Sequence, residues 1–323
     1  MNELILDILK QLRDGSQGAL DTHQLEMLIN SHNSGIDSSA HSTEREKLIP
    51  KRAILPYFLQ VKQNNDELWQ SWNVTPELEE RFIRSVRMKP RRTASGVATI
   101  TVITRPHTCS SNCIYCPCDL RMPKSYLANE PACQRAELTF FDPYVQVAAR
   151  LQALYQMGHS TDKVELIVLG GTWSDYPESY QYWFIKELFR ALNEWPNSPN
   201  HIKERLNWYT SFGLQNSEDA LSSFVAEQQA AVFDDNTTYN QAFHKLYDTS
   251  QPHQNAWSQM QSTYDQLVEQ QHSNETAAAR VVGLVIETRP DTITPENLRM
   301  FRQLGCTKIQ IGIQSTRQEI LDA

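Results

Sequence analysis

Apolar residues recur at helical spacing through the first ninety positions. Leu4, Ile5, Ile8, Leu9 and Leu12 form one stripe. A second short helix is expected to begin near Asp21, followed by a polar, Ser-rich linker over 31–43. In "TPELEERFIRSVRMKPRR", Thr75 and Pro76 make an N-cap and first-turn pair, and Leu78, Phe82 and Val86 share a face. From about residue 93 the period changes. Four β-rich runs, at 96–104, 163–171, 281–290 and 307–315, alternate with helical runs such as "PYVQVAARLQALYQMG", "YQYWFIKELFRALNEW" and "TPENLRMFRQLG". Strands alternating with helices argue parallel βα units. The sequence thus reads as α/β: a mostly helical region over 1–90, then an incomplete (β/α) barrel over 91–323. The Gln-rich, polar stretch at about 200–280 reads as a helical insertion. A closed barrel needs more strands than these four, so the chain reads as cut short at Ala323.

Composition changes this picture little. Of the 323 residues, 40% are hydrophobic, enough to bury a core. No run approaches 18 consecutive apolar residues, so no membrane span is expected. "MNELILDILKQLRDG" carries acids within its apolar run and lacks a small-residue cleavage site, so it reads as an amphipathic helix and the chain as cytoplasmic. A net charge of −8 excludes a generic polyanion binder. Contact with nucleic acid then has to come from a local patch. Arg81, Arg84, Arg87, Lys89, Arg91 and Arg92 crowd such a stretch, just before the first strand of the barrel. A solvated helix face is the competing reading. His107 and Lys124 are candidates for further phosphate contacts, and Tyr126 and Trp173 for stacking on an unstacked base, with core packing the alternative for Trp173.

The densest chemistry lies in "TCSSNCIYCPCD". Cys109, Cys113 and Cys116 are spaced C-x3-C-x2-C, and Cys118 follows. Four of the six cysteines inside ten residues point to metal rather than disulfides. Three thiolates suit an iron–sulfur cluster with one open iron. Four, with Cys118, suit structural zinc. An inert thiol-rich loop is the third reading.

The C-x3-C-x-aromatic-C pattern at a strand's C-terminal end resembles the radical S-adenosylmethionine (SAM) superfamily. That resemblance implies a [4Fe–4S] cluster on Cys109, Cys113 and Cys116, with Tyr115 lying against the bound nucleoside. In "LGGT" it implies that Gly170 and Gly171 offer bare backbone to SAM, a Cβ there colliding with the ligand. Thr172 stands where many members carry Glu. It also implies hydrogen bonds to SAM from Glu287 in "IETRPD" and Gln314 in "IGIQS", although a polar residue at a strand end is also an ordinary cap. Arg289 and Asp291 can pair and simply order their loop.

Longer words, "RTASG", "PHTC", "FDPY", "DKVELIVLGGTW", "NET" and "VGLVIETRPD", occur in order between about 75 and 323. On these words the chain resembles the Elongator catalytic subunit in its bacterial or archaeal single-chain form. The resemblance implies a tRNA-contacting N-terminal region, a radical-SAM domain and a C-terminal acetyltransferase domain, for which no residues remain here. It implies acetyl-CoA as co-substrate and 5-carboxymethyl-uridine at the tRNA wobble position as product. It also puts the "NET" segment near acetyl-CoA or a domain interface. Eukaryotic members space the first two cysteines more widely and have glycines where this chain has Cys118 and Asp119. Homo-oligomers or accessory subunits are compatible with this reading. A zinc-stabilised RNA-binding module without catalysis, and an inactive fragment, are the competing ones.

Overall fold

The four expected strands pair in the order in which they occur. In the computed structural model, which describes residues 1–15, 18–34, 48–111, 113, 116–313 and 315–321, β1 (Ala98–Ile103), β2 (Lys163–Leu169), β3 (Arg280–Thr288) and β4 (Lys308–Ile311) form one parallel sheet in the order β1-β2-β3-β4. Sequential parallel order is what successive βα units produce, and it is how a (β/α) barrel begins. Residues 35–47, which hold most of the Ser-rich linker, Tyr115 and Gln314 lie outside the described residues.

The chain divides into two compact units. The first comprises Met1–Gly96 with Ala153–Ser160. Its helices are α1 (Asn2–Asp14), α2 (Thr22–Asn33), α3 (Lys51–Asn64), α4 (Asp66–Ser71) and α5 (Pro76–Val86). The α1 stripe is fully buried, as its spacing predicts. Asp21 caps α2 through a reciprocal pair with Gln24, and Thr75 Oγ1 accepts from Leu78 N–H at the start of α5. The core centres on Phe58, whose ring stacks on Phe82 at 4.1 Å and on Trp72 at 5.9 Å.

In the second unit, Val97–Gln152 with Thr161–Ala323, helices connect the strands. Between β1 and β2 come α6 (Pro131–Leu138) and α7 (Pro143–Gln156). Between β2 and β3 come α8 (Glu178–Asn193), α9 (Ile202–Ser211), α10 (Glu218–Phe233), α11 (Tyr239–Phe243), α12 (Gln251–Trp257) and α13 (Tyr264–Asn274). α14 (Pro295–Gln303) joins β3 to β4, and α15 (Gln318–Leu321) follows β4. Buried Val164, Leu166 and Val168 alternate along β2, while Leu284, Val285 and Ile286 run consecutively buried in β3, as expected of a strand covered on both faces.

The 200–280 stretch is less separate than its composition suggests. Its last helix, α13, packs against α8. Asn274 is buried there, donating to Asn193 Oδ1 and Ala279 O and accepting from Val281 N–H. This first residue of the "NET" segment thus fastens the crossover into β3.

Half-buried His253 packs against Phe224 at 4.9 Å and takes a hydrogen-bond partner in Ser250. Burial, and then the charge of Arg105, lowers its pKa from 6.5 to about 4. The unfolded chain therefore takes up this proton first, and stability falls as pH drops from about 6.5 through about 4. His253→Phe keeps a ring in place and should flatten that part of a denaturation-versus-pH curve. An unchanged slope would refute the assignment.

Candidate functional site

A cleft of about 660 Å³ opens at the carboxyl ends of the strands. Each strand end contributes to it: Cys109, Cys113 and Cys116 after β1, Gly170 to Thr172 after β2, Glu287 to Asp291 at the end of β3, and Gly312 and Ile313 after β4. Parallel sheets place ligands at this end because the connecting loops there are free to diverge.

The cysteine loop has no regular structure around its thiols, and its backbone is held by side chains distant in sequence. Asn240 at α11 makes a two-way bridge to Cys109: Oδ1 accepts from its N–H at 3.1 Å and Nδ2 donates to its carbonyl at 2.7 Å. Gln229 of α10 does the same for Leu120 N–H and Cys118 O, both at 2.8 Å. Tyr239 and Tyr247 donate their hydroxyls to Met122 O and Leu120 O. No motif in the sequence marked these residues.

The three thiols take different partners. Cys109 Sγ lies 3.3 Å from Thr172 Oγ1, Cys116 Sγ lies 2.8 Å from Ser125 Oγ, and Arg289 Nη1 donates to Cys113 Sγ at 2.7 Å. Among the described residues, no three His, Cys, Asp or Glu side chains are grouped closely enough to share a metal ion. Arg289 is also paired with Asp291 at 2.8 and 2.9 Å. That hydrogen-bonded pair raises the pKa of the guanidinium and holds the Asp291 carboxyl below its ordinary range. The pair expected from sequence therefore forms, and it also reaches a thiol.

The two glycines stand in different surroundings. A Cβ on Gly170 would stand 1.9 Å from Thr104 Oγ1, which is itself bonded to Tyr176 OH. The obstacle at Gly170 is therefore protein rather than ligand. At Gly171 a Cβ would meet nothing closer than 3.9 Å, and its backbone faces the cleft. Glu287 Oε2 accepts from Tyr126 OH at 2.6 Å. Burial, and then this bond, raises the phenol's pKa, so Tyr126 remains the donor.

Several expected nucleic-acid contacts turn inward. Lys124 is 3% exposed and donates from Nζ to Ser111 O at 2.8 Å. His107 is lowered to about 4 by burial and by Arg105, and its Nε2 donates to Asp175 O. Trp173 is buried in the core, and Tyr126 is engaged by Glu287. The six basic residues belong to the first unit and also differ among themselves. Lys89, Arg91 and Arg92 are exposed, as is Arg84, which pairs with Glu80. Arg81 and Arg87 are half-buried, with Arg81 Nε donating to Gly18 O.

No family model matches the sequence. The tRNA uridine(34) acetyltransferase of Methanocaldococcus infernus is 32% identical over 253 residues, 76% of this chain and 35% of that protein. The protein of the same name from Dehalococcoides mccartyi is 32% identical over 232 residues, 72% and 36% respectively. Elongator complex protein 3 of Schizosaccharomyces pombe is 28% identical over 254 residues, 75% and 34%. Over that stretch the chain is similar to proteins named tRNA uridine(34) acetyltransferase and Elongator complex protein 3. It spans about a third of the length of the curated relatives it matches. A solved structure of archaeal Methanocaldococcus infernus Elp3 with an N-terminal deletion is similar at 27% identity and a TM-score of 0.38, covering 70% of this chain and 31% of that one.

In this chain Gly170→Ala should cost about 1–3 kcal/mol, as overpacking does. Adding Thr104→Ala should recover part of that loss in chemical denaturation. If Gly170→Ala alone leaves stability unchanged, the close approach to Thr104 is not a constraint.

Proposed function

We propose that this chain carries the radical-SAM part of an Elongator-type enzyme that modifies the tRNA wobble uridine in the cytoplasm, with acetyl-CoA as co-substrate and 5-carboxymethyl-uridine as product. The supporting observation is that all three thiols of the C-x3-C-x2-C loop line one cleft at the strand ends. Their surroundings fit an anionic, thiolate-held centre. Arg289 donates to Cys113 Sγ, and buried Lys124 lines the same cleft. Cys109, Cys113 and Cys116 would hold a [4Fe–4S] cluster. When bound, such a cluster supplies an electron to SAM and so a 5′-deoxyadenosyl radical. Gly171 offers uncovered backbone to the cofactor, while Glu287, oriented by Tyr126, offers a carboxylate oxygen as an acceptor. Asn240 and Gln229 hold the loop at its two ends, at Cys109 and at Cys118 to Leu120, so the residues between them have to bring the three thiols together around such a cluster.

Anaerobic reconstitution with iron and sulfide should give a brown protein with a [4Fe–4S] EPR signal after reduction. Cys113→Ala should lose most of the cluster-bound iron. A colourless protein that retains one zinc per chain would rule against the assignment.

The exposed Lys89, Arg91 and Arg92 are the part of the basic stretch best placed to meet phosphates. Replacing all three with Gln should weaken tRNA binding and reduce the slope of log K against log salt by about 0.7–0.9 for each phosphate that is no longer neutralised. Fluorescence anisotropy across a KCl series measures this. An unchanged slope removes these residues from the tRNA interface.

A further inference from the structure

Apart from the cleft, the second unit holds a small cavity of about 40 Å³ with a buried cation in its wall. Arg105 follows β1 and is 8% exposed. Its guanidinium lies 4.0 Å from the Trp257 ring and 4.8 Å from the Tyr180 ring. Its side chain makes one hydrogen bond, from Nη1 to Pro106 O, and its buried Nε has no partner among the described residues. No carboxylate forms an ion pair with it there either: Arg121 occupies Asp119 and Glu137, and Arg205 occupies Asp142 and Glu187. Two ring faces return less than it costs to strip a guanidinium of water, so a buried cation of this kind lacks an anion.

Arg121 and Glu137, paired with each other at 3.8 Å, also line the cavity, with Gln215 and His253, while one side of the wall is apolar and includes Leu221. Phe140 and Phe141 line it at φ of 54° and 57°, a left-handed conformation that side chains with a Cβ avoid. Phe141 is held there by its N–H donating to Ala136 O at 2.7 Å. Val225 and Trp257 complete the apolar side. One water needs about 10–15 Å³ of such space, so the cavity admits a ligand of roughly four heavy atoms.

We propose that this cavity is a binding site for a small monocarboxylate of two carbons, with its carboxylate on Arg105 and its methyl group against Phe140 and Phe141. An inorganic anion would satisfy Arg105 but leave the apolar wall unused. A carboxylate with a short alkyl group matches both.

The full chain should be titrated with sodium acetate, sodium propionate, sodium chloride and sodium phosphate at constant ionic strength. Thermal unfolding and tryptophan fluorescence serve as readouts. Acetate should raise Tm saturably, at a concentration at least tenfold lower than chloride, phosphate or the larger propionate requires. Arg105→Gln should abolish that response. Leu221→Trp fills the cavity from its apolar side and leaves Arg105 in place; it should also abolish the response while the circular dichroism spectrum stays native. Equal responses to all four salts, or none to acetate, would overturn the proposal. So would an acetate response that survives in folded Leu221→Trp. If Arg105→Gln fails to fold, the Leu221→Trp result decides.

Discussion

A loop that is to hold a reactive centre must first satisfy its own backbone. Among the described residues, the chain between β1 and α6 has neither sheet nor helix to supply partners for its buried N–H and C=O groups, and leaving them unmade would cost more than most contacts return. The structure meets this requirement with two side-chain amides. Asn240 and Gln229 each offer an acceptor and a donor, which matches the two faces of a peptide unit. The tyrosines Tyr239 and Tyr247 add bonds to the carbonyls of Met122 and Leu120 from the same helical segment. The positions of the thiols, and the cleft they line, follow from this clamp. It also gives the polar helices between α8 and β3 a physical purpose: they supply to the cysteine loop what a neighbouring strand supplies elsewhere.

The fold was largely legible because its signals are local and periodic. Strand runs at 96–104, 163–171 and 307–315 contain β1, β2 and β4, β3 begins one residue before the 281–290 run, and the caps at Asp21 and Thr75 stand where the residue types placed them. Gathering of Cys109, Cys113, Gly171 and Glu287 around one cleft followed from their positions at successive strand ends. The clamp was not legible. Asn240 is 131 residues from Cys109 in sequence, and an amide in a Gln-rich helical stretch looks like a solvated face. Gly170 illustrates a subtler limit. The need for glycine was readable, but its cause, the Thr104 side chain on the adjacent strand, appears only once the register of β1 and β2 is known. Lys124 and His107 were misjudged for a similar reason. A cationic side chain in a polar loop reads as solvent-facing unless the fold covers it.

Electrostatics then separates the two ends of the chain's chemistry. The exposed Lys89, Arg91 and Arg92 keep their water and can trade it for phosphate at little desolvation cost, which suits reversible, salt-sensitive contact. Lys124 is in the opposite situation. It is almost wholly buried, its Nζ donates to a neutral carbonyl, and the Tyr239 ring lies 5.9 Å away. Among the described residues no carboxylate stands within ion-pair distance of it. A buried ammonium is costly without a nearby anion. The chain has placed that ammonium on the wall of the cleft that holds three thiols, together with a guanidinium already bonded to one of them. An anionic group bound at that wall would relieve a cost that the fold already carries. Negative charge is favoured at this place in a protein whose overall charge is −8, and a thiolate-bound centre is the kind of occupant such a wall would stabilise.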